Sequence, residues 1–594
     1  MSVVEQLQQS TVASLTALFG QQFTEKDFQV NQTKPEFEGD YTVVLFSLVK
    51  SLKLSPDAIG TKLGDHLIAN NPSLFTKYNI IKGFLNLTIS DAYWLDILSR
   101  HHNDDCFGKQ KMNGQKVMVE YSSPNTNKPI HLGHLRNNFL GWSVAEIFKA
   151  CGFDVVKTCI VNDRGIHICK SMIAWQLFAN GATPESTHTK GDHFVGDYYV
   201  KFNDEYKKQV EELKAQGMKE EEAEKEAPIM KATQQMLLDW EAGKPDVIEL
   251  WRRMNNWVYA GFDITYKRIG SDFDKTYYES NTYLLGKKIV AEGLEKNVFV
   301  KEDDNSVWID LTNDGLDKKI VQRRDGTSVY MTQDIGLAEQ KYDEYKIDRS
   351  IYVIGDEQNY HMKVLKLIAE KLQLPNAENI YHLSYGMVEL PSGKMKSREG
   401  TVVDADEIVD EMENVAKEKT EELGKVKDFT AEELAALYHN IGLGALKFFL
   451  LRVDPKKRMI FNPEESIDFH GFTGPFIQFN HARIKSILRK SGAGSTLGGF
   501  QTPQEFLALE KELIVALEQY PSIIQQACDE MNPSAIAIYV YHIAKTFSSF
   551  YTEHSIANAE TEEKKQLRLQ LASMTANVIK SGMHLLGIEV PERM

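Results

Sequence analysis

SSPNTNKPIHLGHLRNN, residues 122–138, is the stretch on which the reading of this chain turns. His131 and His134 stand three apart, so a helix carries both on one face. Gly133 between them leaves the backbone open to close approach. KVMVEY (116–121) precedes the stretch as an apolar strand candidate. After it, Leu132, Leu135, Phe139 and Trp142 recur at helical spacing, with Gly152 as a stop. The unit therefore reads strand, loop, helix, with polar groups at the helix N-terminus, where backbone N–H groups and the helix dipole favour phosphate. Imidazoles placed there can seat ATP phosphates and stabilise charge that develops in phosphoryl or adenylyl transfer. An isolated H-x-x-H also suits a surface pair or half of a metal site. Asn125, Lys128 and Pro129 just before it, and no third ligand at a zinc-like spacing, favour the nucleotide; no metal ligands are expected.

Composition bounds the rest. The chain has 594 residues, 42% hydrophobic and 26% charged, enough for three or four domains with buried cores. A net charge of −16 argues against a general nucleic-acid coat but leaves room for local basic surfaces. Five scattered cysteines without a C-x-x-C pair suggest reduced thiols and a cytoplasmic protein. The opening MSVVEQLQQSTVASLTALFG reads as an amphipathic helix, and no stretch reads as a membrane span.

Along the chain, residues 1–105 form an α/β module with one strand expected at NIIKGFLNLTIS (79–90), followed by a polar linker, 102–115. From Lys116 to about Leu390, the strand candidates KVMVEY, VVKTCIV (155–161), SIYVIG (350–355) and HLSYGMVEL (382–390) alternate with helices. That pattern predicts a Rossmann-like, doubly wound parallel sheet binding nucleotide at the carboxyl ends of its strands. A charged segment, 210–227, reads as a solvated helical insertion. From about Asp404 helical periodicity dominates. The expected division is 1–105, a catalytic domain over 106–403, a connecting segment over 404–465 and an all-α domain over 466–594.

GKMKSREGTVV (393–403) alternates Lys394, Lys396 and Arg398 in a Gly-flanked loop suited to a leaving pyrophosphate. With the histidine stretch, it resembles the two signatures of class I aminoacyl-tRNA synthetases. The SSPN-x-x-KP-x-H-x-GHLR form, in detail, is similar to that of arginyl-tRNA synthetases. The loop departs from the family's pattern, with Ser397 at the usual second lysine. The resemblance implies that Lys128 compensates and that Lys394, Lys396 or Arg398 neutralises ATP phosphates, with Mg²⁺ accompanying ATP. It further implies catalytic roles for His131 and His134, ATP binding by Gly133, and an adenine lined by Met387 with His134 on the other side.

A guanidinium needs a carboxylate with flanking acceptors. By resemblance, Glu120, Asn125, Tyr330, Asp334 and Gln358 fall on arginine-binding positions. Asp334 is expected as the guanidinium partner beside Tyr330, four apart on one helical face, with Asn125 and Gln358 at the α-amino and carboxylate end. VNDRGIHICK (161–170) matches a family segment that reads GDWG, with Arg164 in place of the tryptophan; His167 and Cys169 read as a buried structural pair. FTGPFIQFNHARIKSILRK (472–490) resembles the opening of the family's α-helical anticodon-binding domain, with phenylalanines at 476 and 479 for tyrosines. Contacts to tRNA are implied for Phe479, Arg483, Tyr551 and Met594, and for Phe84 and Asn86 of the first module at the tRNA elbow. The resemblance spans about the whole chain. It implies a monomeric cytoplasmic arginine–tRNA ligase with ATP, L-arginine and tRNA(Arg) as substrates, no membrane partner, and arginine activation that needs bound tRNA.

Overall fold

The computed structural model describes residues 2–34, 36–327, 329–389, 391, 403–422, 424, 428–491 and 505–594. Its first module is a four-stranded antiparallel sheet in the order β1 (Gln29–Gln32), β2 (Tyr41–Val44), β4 (Phe84–Ile89), β3 (Phe75–Ile81), backed by helices Val3–Phe19 and Pro56–Asn70. The single strand expected at 79–90 is a hairpin. Lys82 and Gly83 both take positive φ, +50° and +82°, as a two-residue hairpin turn with the right twist demands. The run of apolar residues on either side hid the reversal.

The catalytic sheet is built from β5 (Lys116–Glu120), β6 (Asp154–Val161) and β7 (Lys275–Tyr278). A small antiparallel sheet follows, β8 (Val300–Lys301), β9 (Val307–Ile309) and β10 (Lys319–Gln322), and then β11 (Arg349–Gly355) and β12 (Ile380–Tyr385). The five-stranded order β12-β11-β5-β6-β7 is parallel throughout. The chain runs outward from β5 to β7 and then returns to the other side of β5. The topological switch point, where such sheets bind ligands, therefore lies between β5 and β11. The candidate strand 382–390 is two elements: β12 ends at Tyr385, and β13 (Val388–Glu389) pairs instead with β14 (Met459–Ile460). Gly386 allows this departure, because a Cβ there would meet the Lys457–Arg458 backbone at 2.7 Å.

Between β6 and β7 stands a helical insertion, including Gly191–Ala215, Pro228–Glu241 and Pro245–Ile269. The segment expected to be a linker is not loose. Gln110 N–H donates to Ala150 O at 2.7 Å, and Gly108 packs where a Cβ would meet Ile524 and Tyr520. From Ala405 to Leu585 the described residues are helical apart from the short strand β14 and the connecting turns. Among the described residues one helix, Ala431–Leu451, has the length and composition to cross a membrane, contrary to the sequence expectation. Its residues 441–451 are buried in the main hydrophobic core, which runs from the first module to the last helix.

Candidate active site

The signature loop leaves the carboxyl end of β5 under constraint. Ser122 and Ser123 hold φ of +82° and +48°, unusual for side chains other than glycine. Three contacts hold this backbone: Ser122 N–H donates to Asn137 Oδ1 at 2.5 Å, Asn138 Nδ2 donates to Ser122 Oγ at 3.2 Å, and Ser122 Oγ pairs with the Tyr266 hydroxyl at 2.6 Å. The loop then runs beside the residues after β6: Thr126 N–H donates to Asn162 O at 3.1 Å and Asn162 N–H to Pro124 O at 2.9 Å.

His131 caps the helix Leu132–Ala150. Its Nδ1 accepts from Gly133 N–H at 3.2 Å, and His134 Nδ1 accepts from His131 N–H at 3.2 Å. A backbone N–H can only donate, so both Nδ1 atoms are bare and each Nε2 carries the proton. The rings lie 3.9 Å apart. Burial, then Lys128, holds His131 down to about 3; burial, then His131 and Lys128, holds His134 well below the usual imidazole range. Both are therefore neutral donors at physiological pH. Gly133 is needed because His131's ring already covers it, 3.1 Å from where a Cβ would stand. Lys128 is mostly desolvated, which lowers its ammonium's pKa, and no carboxylate among the described residues pairs with it.

Beside the signature opens a cavity of about 570 Å³, lined among others by Asn125, Lys128, Arg164, His167, Glu279, Tyr330, Asp334, Gln358 and His361. Four of the five residues expected to bind arginine meet here. Tyr330 and Asp334 come from the helix Tyr330–Tyr345, Gln358 from the turn after β11, and Asn125 from the signature loop. Asp334 Oδ2 lies 2.8 Å from His361 Nε2. The fifth, Glu120, does not line the cavity. It is buried at the end of β5 in an ion pair with Lys341, itself 1% exposed.

Sequence reasoning missed Glu279. It starts the short helix after β7, is 9% exposed, and has a carboxyl raised to about 7 by burial, opposed by Arg164 and reinforced by Asp163 and Asp334. Its backbone is set by Asp163, which accepts from Ser280 N–H at 2.8 Å and from the hydroxyls of Ser280 (2.7 Å) and Tyr259 (2.8 Å). Arg164 stands as a wall between aromatic rings, 4.1 Å from the Tyr283 centroid and 5.1 Å from Trp240, with Glu241 at 3.1 Å. His167 is exposed on the cavity and hydrogen-bonded to the Tyr199 hydroxyl at 3.1 Å, whereas Cys169 is buried; the two are not the buried pair expected.

Arg136 was also missed. It is 1% exposed and donates to Gly386 O, Pro455 O (3.3 Å) and Asp454 O (3.5 Å), tying the signature helix to the segment that carries Met387. Met387 is half-buried just past β12. Lys394, Lys396 and Arg398 lie outside the described residues.

On the surfaces expected to meet RNA, Phe84 is 39% exposed and stacks edge-on with Phe46 at 5.5 Å. Asn86 is 1% exposed, with its amide bonded to Thr42 and Asn79, so its side chain braces the hairpin rather than presenting a contact. Arg483 lies over the Phe479 ring at 4.8 Å, Tyr551 is exposed and stacked parallel to Phe547 at 6.1 Å, and Met594 packs half-buried.

A parallel sheet with a histidine signature at its switch point and an α-helical C-terminal domain defines a class I aminoacyl-tRNA synthetase. The model of class I (R) tRNA synthetase catalytic domains matches residues 96–462, the DALR anticodon-binding domain 477–594, and the arginyl tRNA synthetase N-terminal domain 5–89. Arginine–tRNA ligases of Bacteroides thetaiotaomicron and Flavobacterium psychrophilum are each 52% identical to this chain, with complete coverage of both sequences. The arginyl-tRNA synthetase of Thermus thermophilus shares the fold, with a TM-score of 0.79 at 23% identity over 99% of this chain and 100% of its own. The chain belongs to the arginyl-tRNA synthetase family.

Proposed function

We propose that this chain activates L-arginine with ATP and transfers it to tRNA(Arg). The observation that carries this reading is the cavity at the switch point. It has two carboxyls, Asp334 and Glu279, and on the same wall Lys128, whose charge reaches both signature imidazoles.

In the first step an arginine carboxylate oxygen attacks the α-phosphorus in line, the bond to the β-phosphate oxygen breaks, and pyrophosphate leaves. In the second, the terminal ribose hydroxyl of tRNA attacks the adenylate carbonyl carbon and AMP leaves. No protein nucleophile is needed, so catalysis is positioning and charge stabilisation. Asp334 and Glu279 hold the guanidinium with Tyr330 beside them, and Asn125 and Gln358 hold the α-amino and carboxylate end. The Nε2–H groups of His131 and His134 donate to phosphate oxygens, Gly133 lies at the ATP site beneath the His131 ring, and Met387 bounds the adenine opposite His134. Lys128, with Lys394, Lys396 or Arg398, meets the β- and γ-phosphates. Apart from the arginine-binding pair, the cavity wall offers amides, cations and imidazoles rather than a carboxylate cage. That suits Mg²⁺ carried in on ATP's own oxygens, where it would neutralise phosphate charge.

Phe84, Phe479, Arg483, Tyr551 and Met594 would contact tRNA. The working domain limits are 1–105, 106–403, 404–465 and 466–594, in a cytoplasmic monomer. Arginine-dependent ATP–pyrophosphate exchange, with and without tRNA(Arg), tests the reading. Exchange with arginine alone among amino acids, dependent on tRNA, supports it, and no exchange by folded protein overturns it.

A further inference from the structure

Lys190 and His193 open the insertion helix Gly191–Ala215, yet two of their carboxylate partners, Asp404 and Asp406, lie more than two hundred residues on. Lys190 Nζ stands 2.6 Å from Asp406 Oδ2 and 3.0 Å from Asp192 Oδ2, and donates to Thr265 Oγ1 at 2.5 Å. His193 Nε2 lies 3.1 Å from Asp404 Oδ2 and 3.5 Å from Asp406 Oδ2. Arg268 reaches the Asp406 carbonyl at 3.3 Å and the carboxylates of Asp410 and Glu413. Asp192 is fully buried and Asp404 is 7% exposed.

What these carboxylates are attached to gives the cluster its meaning. Asp404 caps the helix Ala405–Glu422, accepting from Asp406 N–H at 2.7 Å. Residues 403–405 run antiparallel to residues 130–132: Leu132 N–H donates to Val403 O at 3.3 Å, and Ala405 N–H to Ile130 O at 2.9 Å, with Asp404 opposite His131. The backbone that seats the first signature histidine therefore leans on a short segment. That segment's other side is held by charges from the insertion.

His193, Asp404 and Asp406 also present ligand atoms within 4.8 Å of one another, as a metal site would. The Lys190 ammonium, 2.6 Å from Asp406, already takes the place of a cation there. An ionic tie is the better account, since the partly buried Lys190 ammonium already bridges Asp406 and the fully buried Asp192 and so holds the insertion helix against residues 404–406.

We propose that Lys190 and His193 are positioning residues for arginine activation: through Asp406 and Asp404 they press residues 403–405 against residues 130–132 and so keep His131 in register over Gly133. The inference rests on the adenylation reading above. Neither residue lines the arginine cavity, so their loss acts on the rate of the chemical step rather than on arginine binding.

The test is tRNA-supported pyrophosphate exchange by the full chain carrying Lys190→Met, Lys190→Arg or His193→Gln, with wild type alongside as the check on adenylation itself. The expected result for Lys190→Met and His193→Gln is a fall in kcat of about 10- to 100-fold. The arginine KM should stay within about twofold of wild type. Lys190→Arg should recover most of the rate. His193 is partly exposed, so His193→Gln keeps the test open if Lys190→Met does not fold. An unchanged kcat, a loss carried by the arginine KM, or no recovery with arginine overturns the inference while wild-type exchange stands. Titration with Zn²⁺ or Mn²⁺ supplies the other arm: stoichiometric binding that Asp404→Asn abolishes would replace the ionic tie with a metal site.

Discussion

Glu279 is the side chain whose chemistry is most exposed to test. Its carboxyl, raised to about 7 by burial, sits above the ordinary carboxylate value, so the folded protein holds a proton that the unfolded chain releases. Ionising it therefore costs stability as pH rises from about 4.5 to 7, and an arriving guanidinium recovers that cost. Glu279→Gln should melt higher than wild type at pH 8 and no higher at pH 4, measured by thermal scanning. The same variant should lose on the order of 30-fold or more in arginine kcat/KM, because a buried charge pair is broken. In wild type the arginine KM should climb as pH falls below about 7, and the variant should lack that climb. A variant with normal arginine KM would remove Glu279 from recognition. The imidazoles give the complementary result. Both are neutral donors, so exchange should not fall through histidine protonation above about pH 5. His134→Ala should lower kcat by about 10²- to 10³-fold. The sequence put Tyr330 and Asp334 on one helical face, the family resemblance singled them out for arginine, and both line the cavity. Glu279 was not legible, since its strand is four residues long and its neighbours arrive from distant parts of the chain.

Elements were readable where their period was long and clean. The signature strand and helix, the strands at 155–161 and 350–355, and the helical region from about Asp404 onward follow directly from apolar spacing. Short elements whose partners lie far along the chain were not readable. β7, β8, β9 and β10 carry too few residues for a period to emerge, and β13 leaves β12 at Gly386, where Arg136 ties the chain to residues 454–455 and the 457–458 backbone packs close. The hairpin of the first module is the instructive failure, because its whole signal is the pair Lys82–Gly83. Gly83 needs its φ of +82°, and a Cβ there would strike the Phe46 ring at 2.5 Å, the ring on which Phe84 rests. Gly83→Ala should cost about 1–3 kcal/mol in unfolding. It should also raise the KM for tRNA while leaving the arginine KM alone, if the Phe46–Phe84 edge is the surface that tRNA meets. An unchanged tRNA KM in a folded variant would place that contact elsewhere.

At the scale of the molecule, the last residues lie across several domains at once. Leu585 O accepts from Ser143 Oγ of the signature helix at 2.6 Å, and Gly587 O from Lys447 of the connecting helix at 2.6 Å. The carbonyls of Glu589, Pro591 and Glu592 meet Gln478, His481 and Arg489 on the first anticodon-domain helix. None of this was legible, because backbone carbonyls have no sequence signature. Lys447 is the pivot: it is buried over the Phe139 ring, and burial pushes its ammonium down to about 8. Between about pH 8 and 10.5 the unfolded chain thus binds the proton that the folded one has released, so stability gains from this group as pH rises. Lys447→Met keeps the volume and removes both the charge and the bond to Gly587. Its unfolding free energy should lack that alkaline gain. If the strap transmits tRNA binding to the signature helix, exchange at saturating tRNA should fall by about 5- to 10-fold, the size of a typical coupling between sites. The tRNA dissociation constant, from filter binding, should stay within about twofold, since no anticodon contact is touched. Full exchange together with a flattened pH–stability profile would show that the strap holds the domains together without carrying the signal between them.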